Sequence, residues 1–312
     1  MNSHTLDIII PIYNEELCIE QLHKRFVDCF KDWEQKEIRY LYVDDGSTDK
    51  SCQLLKNLVK NNCNVEVIIL NKNCGHQNAI TAGLHYSSAE YVSIIDADLQ
   101  DPPELIIDLY NKALTGYEVV YAKRNTRRGE KYLKKITAKY FYKILNLISE
   151  ENFPEDVGDF RILSKKVVEA LNMMNEKNRY IRGMIPWLGF KHAYIEYDRD
   201  ERYAGSTKFS IIKMIKFSKD AIFSFSYFPV KLSYFISFIV FTMAFFGIIL
   251  VLYLRLFTNF TVPGISTLII LILFLGSLQF FVLGLYGEYL SRVYDEVRKR
   301  PLYLIKEIIK NN

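Results

Sequence analysis

Two uncharged stretches near the carboxyl end constrain this chain more than any other feature: Leu232–Leu254, 23 residues, and Leu256–Gly287, 32 residues, with Arg255 between them. The second is interrupted by Thr258-Asn259-Phe260-Thr261-Val262-Pro263-Gly264. An α-helix rises ~1.5 Å per residue, so about 20 apolar residues cross a ~30 Å hydrocarbon layer. Leu232–Leu254 and Ile265–Tyr286 are each long enough to do so. Lys208, Lys213, Lys216, Lys219 and Lys231 precede the first stretch and six Lys or Arg follow the second. The positive-inside rule therefore predicts that both ends lie in the cytoplasm.

The remainder must fold differently. The chain as a whole is 50% hydrophobic and 24% charged, too charged for an all-membrane protein and too apolar for a disordered one. Residues 1–203 carry 28 basic and 31 acidic side chains, whereas residues 204–231 hold five Lys and one Asp. The basic excess thus sits beside the membrane, and nucleic acid is not expected as a partner. Met1–Thr5 is polar and the apolar run Leu6–Ile12 is too short for a secretory signal, so the large N-terminal part is expected to be cytoplasmic. The five cysteines are odd in number and lack C-x-x-C spacing, which suits small packing residues in a reducing compartment.

Apolar β-branched runs alternate with helical patterns: Leu6–Ile12 then Glu15–Trp33, Ile38–Val43 then Asp49–Asn61, Val65–Leu70 then Gly75–Ser88, Tyr91–Ile95 then Pro102–Leu114, and finally Tyr117–Ala122. This order predicts an α/β domain with a mostly parallel sheet flanked by helices, its ligands beyond the carboxyl ends of the strands. Further on come a basic helix to about Ser149, a Gly158-Asp159-Phe160-Arg161 turn and another helix. An amphipathic stretch over 209–225 suits a helix in the headgroup plane. The expected division is a catalytic domain over 1–203, interfacial helices over 204–231, two transmembrane helices with a short extracytoplasmic loop over 232–286, and a cytoplasmic tail over 287–312.

The strand exits carry the chemistry. At the first, Pro11 ends the ladder and Asn14 can cap the following helix. The second reads Val43-Asp44-Asp45-Gly46-Ser47-Thr48-Asp49. Its turn chemistry leaves one carboxylate unexplained, and Asp44 at the end of a buried strand needs a donor such as a ribose hydroxyl or a base N–H. The fourth reads Ile95-Asp96-Ala97-Asp98-Leu99-Gln100-Asp101-Pro102. Strand alternation would send Asp96 and Asp98 to one side, where two anionic oxygens call for a hard cation such as Mg²⁺ or Mn²⁺. No G-x-G-x-x-G, G-x-x-x-x-G-K-[ST] or H-E-x-x-H occurs, which argues against a dinucleotide dehydrogenase or a P-loop NTPase.

Pro11–Glu16, Val43–Asp49 and Asp96–Asp98, in this order and spacing, resemble the GT-A glycosyltransferases of family 2. Asn71–Ile80, Asp96–Glu104, Gly158–Arg161, Arg202–Phe209 and Gly287 through Pro301 narrow the resemblance to polyprenyl-phosphate glycosyltransferases, particularly bactoprenol glucosyltransferases of the O-antigen-modification type. The dolichol-phosphate mannose synthases are similar in the catalytic half. The resemblance implies inverting transfer of a monosaccharide, glucose from UDP-glucose first among the choices, to undecaprenyl (polyprenyl) phosphate at the cytoplasmic face of a bacterial inner membrane. The alternatives are GDP-mannose, UDP-N-acetylglucosamine, a UDP-amino-arabinose, or a non-catalytic nucleotide-sugar-binding partner of a flippase.

Carried over by residue, the resemblance implies that Pro11, Tyr13, Asn14, Glu15, Asp44, Asp45 and Asp96 hold the nucleotide sugar. Asp96, Asp98 and Gln100 would hold Mg²⁺ or Mn²⁺, with Asp98 and Asp159 as the catalytic carboxylates, Asp159 more for orientation than for deprotonation. Arg124, Arg127, Arg128, Arg202, Ser206 and Lys208 are candidates for the acceptor phosphate, because guanidinium forks match phosphate oxygens. A small flippase and further copies of the chain are the implied protein partners, and the lipid bilayer is the implied surface.

Overall fold

The computed structural model of the protein describes residues 4–31, 33, 37–127, 154, 157–199, 223, 226, 228–257 and 264–311. The 209–225 amphipathic stretch falls almost wholly outside them, as do the Asn259-Phe260-Thr261 loop and the basic segment before Ser149.

Six elements of the expected alternation form its first half: β1 (Leu6–Ile12), α1 (Ile19–Phe30), β2 (Ile38–Asp44), α2 (Ser51–Asn61), β3 (Val65–Leu70) and α3 (His76–Tyr86). There follow β4 (Tyr91–Ile94), α4 (Leu105–Leu114), β5 (Val119–Arg127), β6 (Val157–Ser164), α5 (Lys165–Met173), α6 (Ile181–Trp187) and β7 (His192–Arg199). Two long helices, α7 (Phe228–Phe257) and α8 (Ile265–Arg298), and a last strand β8 (Ile305–Lys310) complete the chain. The strands form one sheet in the order β7-β5-β6-β4-β1-β2-β3-β8. Only β6 and β8 run against the others, which is the mostly parallel α/β sheet expected of a GT-A fold.

Burial on both faces explains why β1 and β2 are apolar almost throughout, every residue being buried and the charges at Asp7 and Arg39 being paired with each other. Even-numbered residues of β1 and β2, such as Ile8, Ile10, Tyr40 and Tyr42, pack with Phe26, Leu55 and Val59 against α1 and α2. Odd-numbered Ile9, Leu41 and Val43 pack with Ile80 and Leu84 of α3. Asp44 and Asp45 therefore leave β2 toward opposite faces, a consequence of the two-residue period. At the amino ends of the strands, Arg39 donates to both oxygens of Asp7, at 2.9 and 2.6 Å, in a buried pair that welds β1 to β2 away from any exit.

Several differences from the sequence reading have local causes. Asp159 and its neighbours lie inside β6 rather than in a turn, because β6 is sandwiched between β4 and β5. Asn14 does not cap a helix: α1 begins four residues later than expected, and Asn14 adopts a left-handed φ of 54° between two loops. Residues 287–312 are not a free tail, since α8 continues to Arg298 and β8 then pairs with β3. By length and composition, one helical stretch among the described residues, Phe228–Gly247, could cross a membrane.

The turn after β2 depends on Gly46. Its φ is +68°, and a Cβ there would stand 2.6 Å from the Lys72 carbonyl carbon. Gly46→Ala should lower stability by at least about 2 kcal/mol, since left-handed strain and a backbone clash add. Thermal melting of the detergent-solubilised protein measures it, and an unchanged melting temperature would contradict this account of the turn.

Candidate active site

The exits of β1 and β2 are knitted together by reciprocal hydrogen bonds. The Asn14 N–H donates to Ser47 Oγ (3.0 Å), while Asn14 Oδ1 accepts from the Thr48 N–H (2.8 Å). The Glu15 N–H donates to Ser51 Oγ (2.9 Å), and Glu16 both donates to Asp49 and accepts from the Lys50 N–H. Pro11 is buried in β1 beside Val43, and Tyr13 is 38% exposed at the rim. Left-handed backbone at Asn14 costs energy that this bonding repays, as is usual where a loop is shaped for a ligand.

Asp44 and Asp45, grouped together by the sequence reading, do different things. Both Asp45 oxygens accept backbone N–H bonds, from Cys74 at 2.7 Å and Gly75 at 2.9 Å, which fixes the loop leading into α3. Asp44 accepts from the Ser47 N–H at 3.1 Å and is 1% exposed. Burial raises the pKa of each, against the lowering effect of these hydrogen bonds.

The loop held by Asp45 delivers His76, which lies within the Asn71–Ile80 segment and to which the sequence alone assigns no role. Its Nε2 lies 3.2 Å from Asp159 Oδ2 and 3.4 Å from Asp96 Oδ1. Ligand atoms of His76, Asp96 and Asp159 all lie within 4.8 Å of one another. β4 ends at Ile94, so Asp96 and Asp98 stand in a turn and strand alternation does not place them. In that turn Leu99 has φ 59°, and Asp98 Oδ1 accepts the Gln100 N–H at 3.2 Å. Asp98 does not belong to the His76 group, though its charge bears on Asp96.

Asp159, 2% exposed, is held on several sides. Arg182 of α6 donates to its two oxygens at 2.9 and 2.8 Å, His76 meets one of them, and Arg161 Nη2 is 3.4 Å from the other. Burial opposes its charge, yet Arg182 and His76 hold its pKa well below the usual carboxylate range. A carboxylate so strongly held is a poor proton acceptor. Partial desolvation likewise opposes charge on His76, whose side chain stays 44% exposed, but the Asp159 bond and the charges of Asp96 and Asp159 outweigh it and raise the imidazole to about 9. Asp96, unlike Asp159, has its charged form disfavoured: burial, with repulsion from Asp159, Asp98 and Asp101, pushes it up to about 6 despite His76.

Asp96 Oδ1 is buried and, with His76 Nε2 no nearer than 3.4 Å, has no hydrogen-bond partner among the described residues. A hard divalent cation would satisfy it, so the residues present fit Mg²⁺ or Mn²⁺, with Asp96 as the anchor and the His76 position or Asp159 nearby.

A second hub lies behind this cluster. Asp101, wholly buried, accepts from Arg124 (3.3 Å), Arg199 (3.0 Å) and the Tyr197 hydroxyl. Arg124, placed at the acceptor phosphate by the sequence reading, is thus committed to Asp101 and Tyr197, and its guanidinium packs so closely on Gly158 that a Cβ there would stand 2.3 Å away. Arg127 is the last residue of β5, paired in register with Arg199. Arg128, Arg202, Ser206 and Lys208 lie outside the described residues.

The high His76 pKa has a testable sign. It lies above the ordinary 6.5, so the stability that protonated His76 contributes is complete below pH 6.5 and is lost as pH rises through about 9. In EDTA, the melting-temperature difference between wild type and His76→Ala should shrink across that window. A constant difference from pH 6 to 10 would refute it.

Comparison with known proteins gives the family. The description "Glycosyl transferase family 2" matches residues 7–171. Over 96% of this chain and 93% of the relative, the chain is 42% identical to the uncharacterized glycosyltransferase YkcC of Bacillus subtilis (strain 168). It is 37% identical to the prophage bactoprenol glucosyl transferase homolog of Escherichia coli (strain K12), over 98% of this chain and 99% of that one. The SfII prophage-derived bactoprenol glucosyl transferase of Shigella flexneri is 35% identical over the same shares, 98% and 99%.

Proposed function

The chain belongs to glycosyl transferase family 2, and from that premise we propose that it moves glucose from UDP-glucose to undecaprenyl phosphate at the cytoplasmic face of a bacterial inner membrane. The observation that carries this reading is the unsatisfied Asp96 oxygen at the carboxyl ends of parallel strands, on a domain continuous with long apolar helices. Relatives named bactoprenol glucosyl transferase, similar over nearly the whole chain, support the lipid acceptor and the glucose donor.

The chemistry needs little from a base. A phosphate monoester has a second pKa of about 6, so the acceptor oxygen is already ionised at neutral pH. That oxygen attacks the anomeric carbon as the bond to the nucleoside diphosphate breaks, with inversion, and the diphosphate leaves with the electron pair. A divalent cation on Asp96, with Asp98 and Gln100 beside it, would neutralise the leaving diphosphate. Asp159 then serves by holding Arg182 and His76 toward the anions rather than by taking a proton. Tyr13, Glu15 and Asp44 line the nucleotide side, and Asp45 shapes it through the β3–α3 loop. Arg127, Arg128, Arg202, Ser206 and Lys208 are the proposed clamp for the acceptor phosphate.

The topology supports two membrane crossings. The chain leaves the catalytic domain into α7 and returns to it as β8, and a chain that starts and ends on one side crosses an even number of times. α8 spans 34 residues, ~51 Å, which exceeds the ~30 Å layer. Its last turns reach the catalytic domain, where Glu296 accepts the Lys177 N–H at 2.6 Å. A membrane-impermeant thiol reagent should label Gly264→Cys in intact cells and spare Asn311→Cys. The opposite pattern would invert the orientation.

Membranes incubated with undecaprenyl phosphate and each radiolabelled nucleotide sugar test the donor. UDP-glucose should label the lipid phase. Label from GDP-mannose, UDP-N-acetylglucosamine or a UDP-amino-arabinose in its place would reassign the sugar, and label from none would overturn the activity.

A further inference from the structure

The C-terminal strand reaches the donor cleft, though it lies more than 200 positions beyond the cleft loops in sequence. The registers place it there. Ile12 pairs with Asp44, Asp44 with Ile69, and Ile69 with Glu307, so one row of residues crosses the carboxyl edge of the sheet from β1 to β8. Leu70 pairs with Ile305, and the irregularity between Ile69 and Leu70 leaves Lys306 in the bulge of that row. The strand is anchored on both sides of Lys306: the Asn71 N–H donates to the Leu304 carbonyl at 2.8 Å, and Glu307 pairs with Lys56 at 2.7 Å. Lys306 itself is exposed and makes no hydrogen bond or ion pair among the described residues. Its charge nevertheless bears on Asp44 and on Cys52.

Resting on the nucleotide-sugar reading of the cleft, we propose that Lys306 is a donor-binding residue, contacting oxygens of the nucleoside rather than of the diphosphate. Distance decides between the two halves. Adjacent strands lie ~4.8 Å apart, so β8 is about 19 Å across the sheet from β4, beside which Asp96 would hold the diphosphate. A lysine stem shortens that gap toward the nucleoside, not to the phosphates. Asp44 sits between, and its buried charge draws the ammonium over the cleft. The membrane-proximal end of the chain thus completes the pocket for the soluble substrate.

The test is calorimetric binding of UMP, UDP and UTP to full-length wild type, Lys306→Ala and Lys306→Gln in detergent. Lys310→Ala is the control, because Lys310 occupies the same strand but rests on Glu66 at 3.7 Å and over the Tyr86 ring, at the far end from the cleft. Lys306→Ala should weaken all three nucleotides by about tenfold, as loss of one charged hydrogen bond does, with the melting temperature unchanged and Lys310→Ala binding as wild type. Equal affinity of wild type and Lys306→Ala would overturn the proposal. So would a loss that grows from UMP to UTP, since that pattern places the ammonium on phosphate, or equal weakening by Lys310→Ala, since that reports strand stability alone. Failure of wild type to bind any of the three would instead fell the donor reading itself.

Discussion

Asp96→Ala will cut sugar transfer by at least about a thousandfold, the equivalent of ~4 kcal/mol of lost charge stabilisation at the leaving diphosphate. The same substitution will leave the fold intact or slightly firmer at neutral pH. Asp96 is recessed, repelled by Asp159, Asp98 and Asp101, and raised to about 6, so its ionised form is tolerated rather than preferred. Removing it relieves that repulsion. EDTA should reproduce the activity loss in wild type and Mn²⁺ or Mg²⁺ should reverse it, whereas Asp96→Ala should stay inactive with metal restored. A melting temperature that falls sharply in Asp96→Ala would mean that the carboxylate is structural, and the metal assignment would lose its main support.

The second large effect is on stability. Arg182→Ala strips a two-pronged partner from Asp159, whose side chain is 3% exposed. Breaking a buried pair by removing one member costs about 3–5 kcal/mol, because the remaining charge stays desolvated. Asp159→Asn in the Arg182→Ala background should recover part of the loss, since the uncompensated charge is then gone. Denaturant unfolding of the four combinations measures the coupling directly. Additive losses in the double variant would show that the pair does not act as a unit, and that Arg161 and His76 suffice to hold Asp159.

The parallel core was legible because its signal is local. Runs such as Leu6–Ile12 and Val65–Leu70 are buried on both faces and so read as largely apolar strands, broken only at Asp7 and Glu66. Asp44 and the Asp96 turn stood out because polar residues at strand exits are visible in one dimension. What was missed depends on contacts distant in sequence. β8 has the plain composition of Ile305-Lys306-Glu307-Ile308-Ile309-Lys310 and becomes a strand only because β3 offers it an edge. Arg182 and Arg199 sit in charged stretches without a motif, and only the packing of α6 and β7 brings them to Asp159 and Asp101. His76 was within reach, since it follows the third strand exit and the rule that ligands gather at exits applies there too. The pairing of Asp96 with Asp98 rested on strand alternation, which fails because β4 stops at Ile94.

These placements bear on division of labour. In the proposed reaction the cluster at Asp96 receives the diphosphate, and Asp159, held well below the usual carboxylate range by Arg182 and His76 against the effect of burial, is a poor base. The account therefore requires an acceptor that arrives already ionised, which a lipid phosphate does and a lipid alcohol does not. The most direct measurement gives purified protein UDP-[¹⁴C]glucose and Mn²⁺ with either undecaprenyl phosphate or undecaprenol, and follows label into the organic phase at neutral pH. The account predicts labelled lipid from the phosphate alone, with an equal amount of UDP released. Comparable labelling of undecaprenol, or label that never leaves the aqueous phase with either lipid, would contradict it.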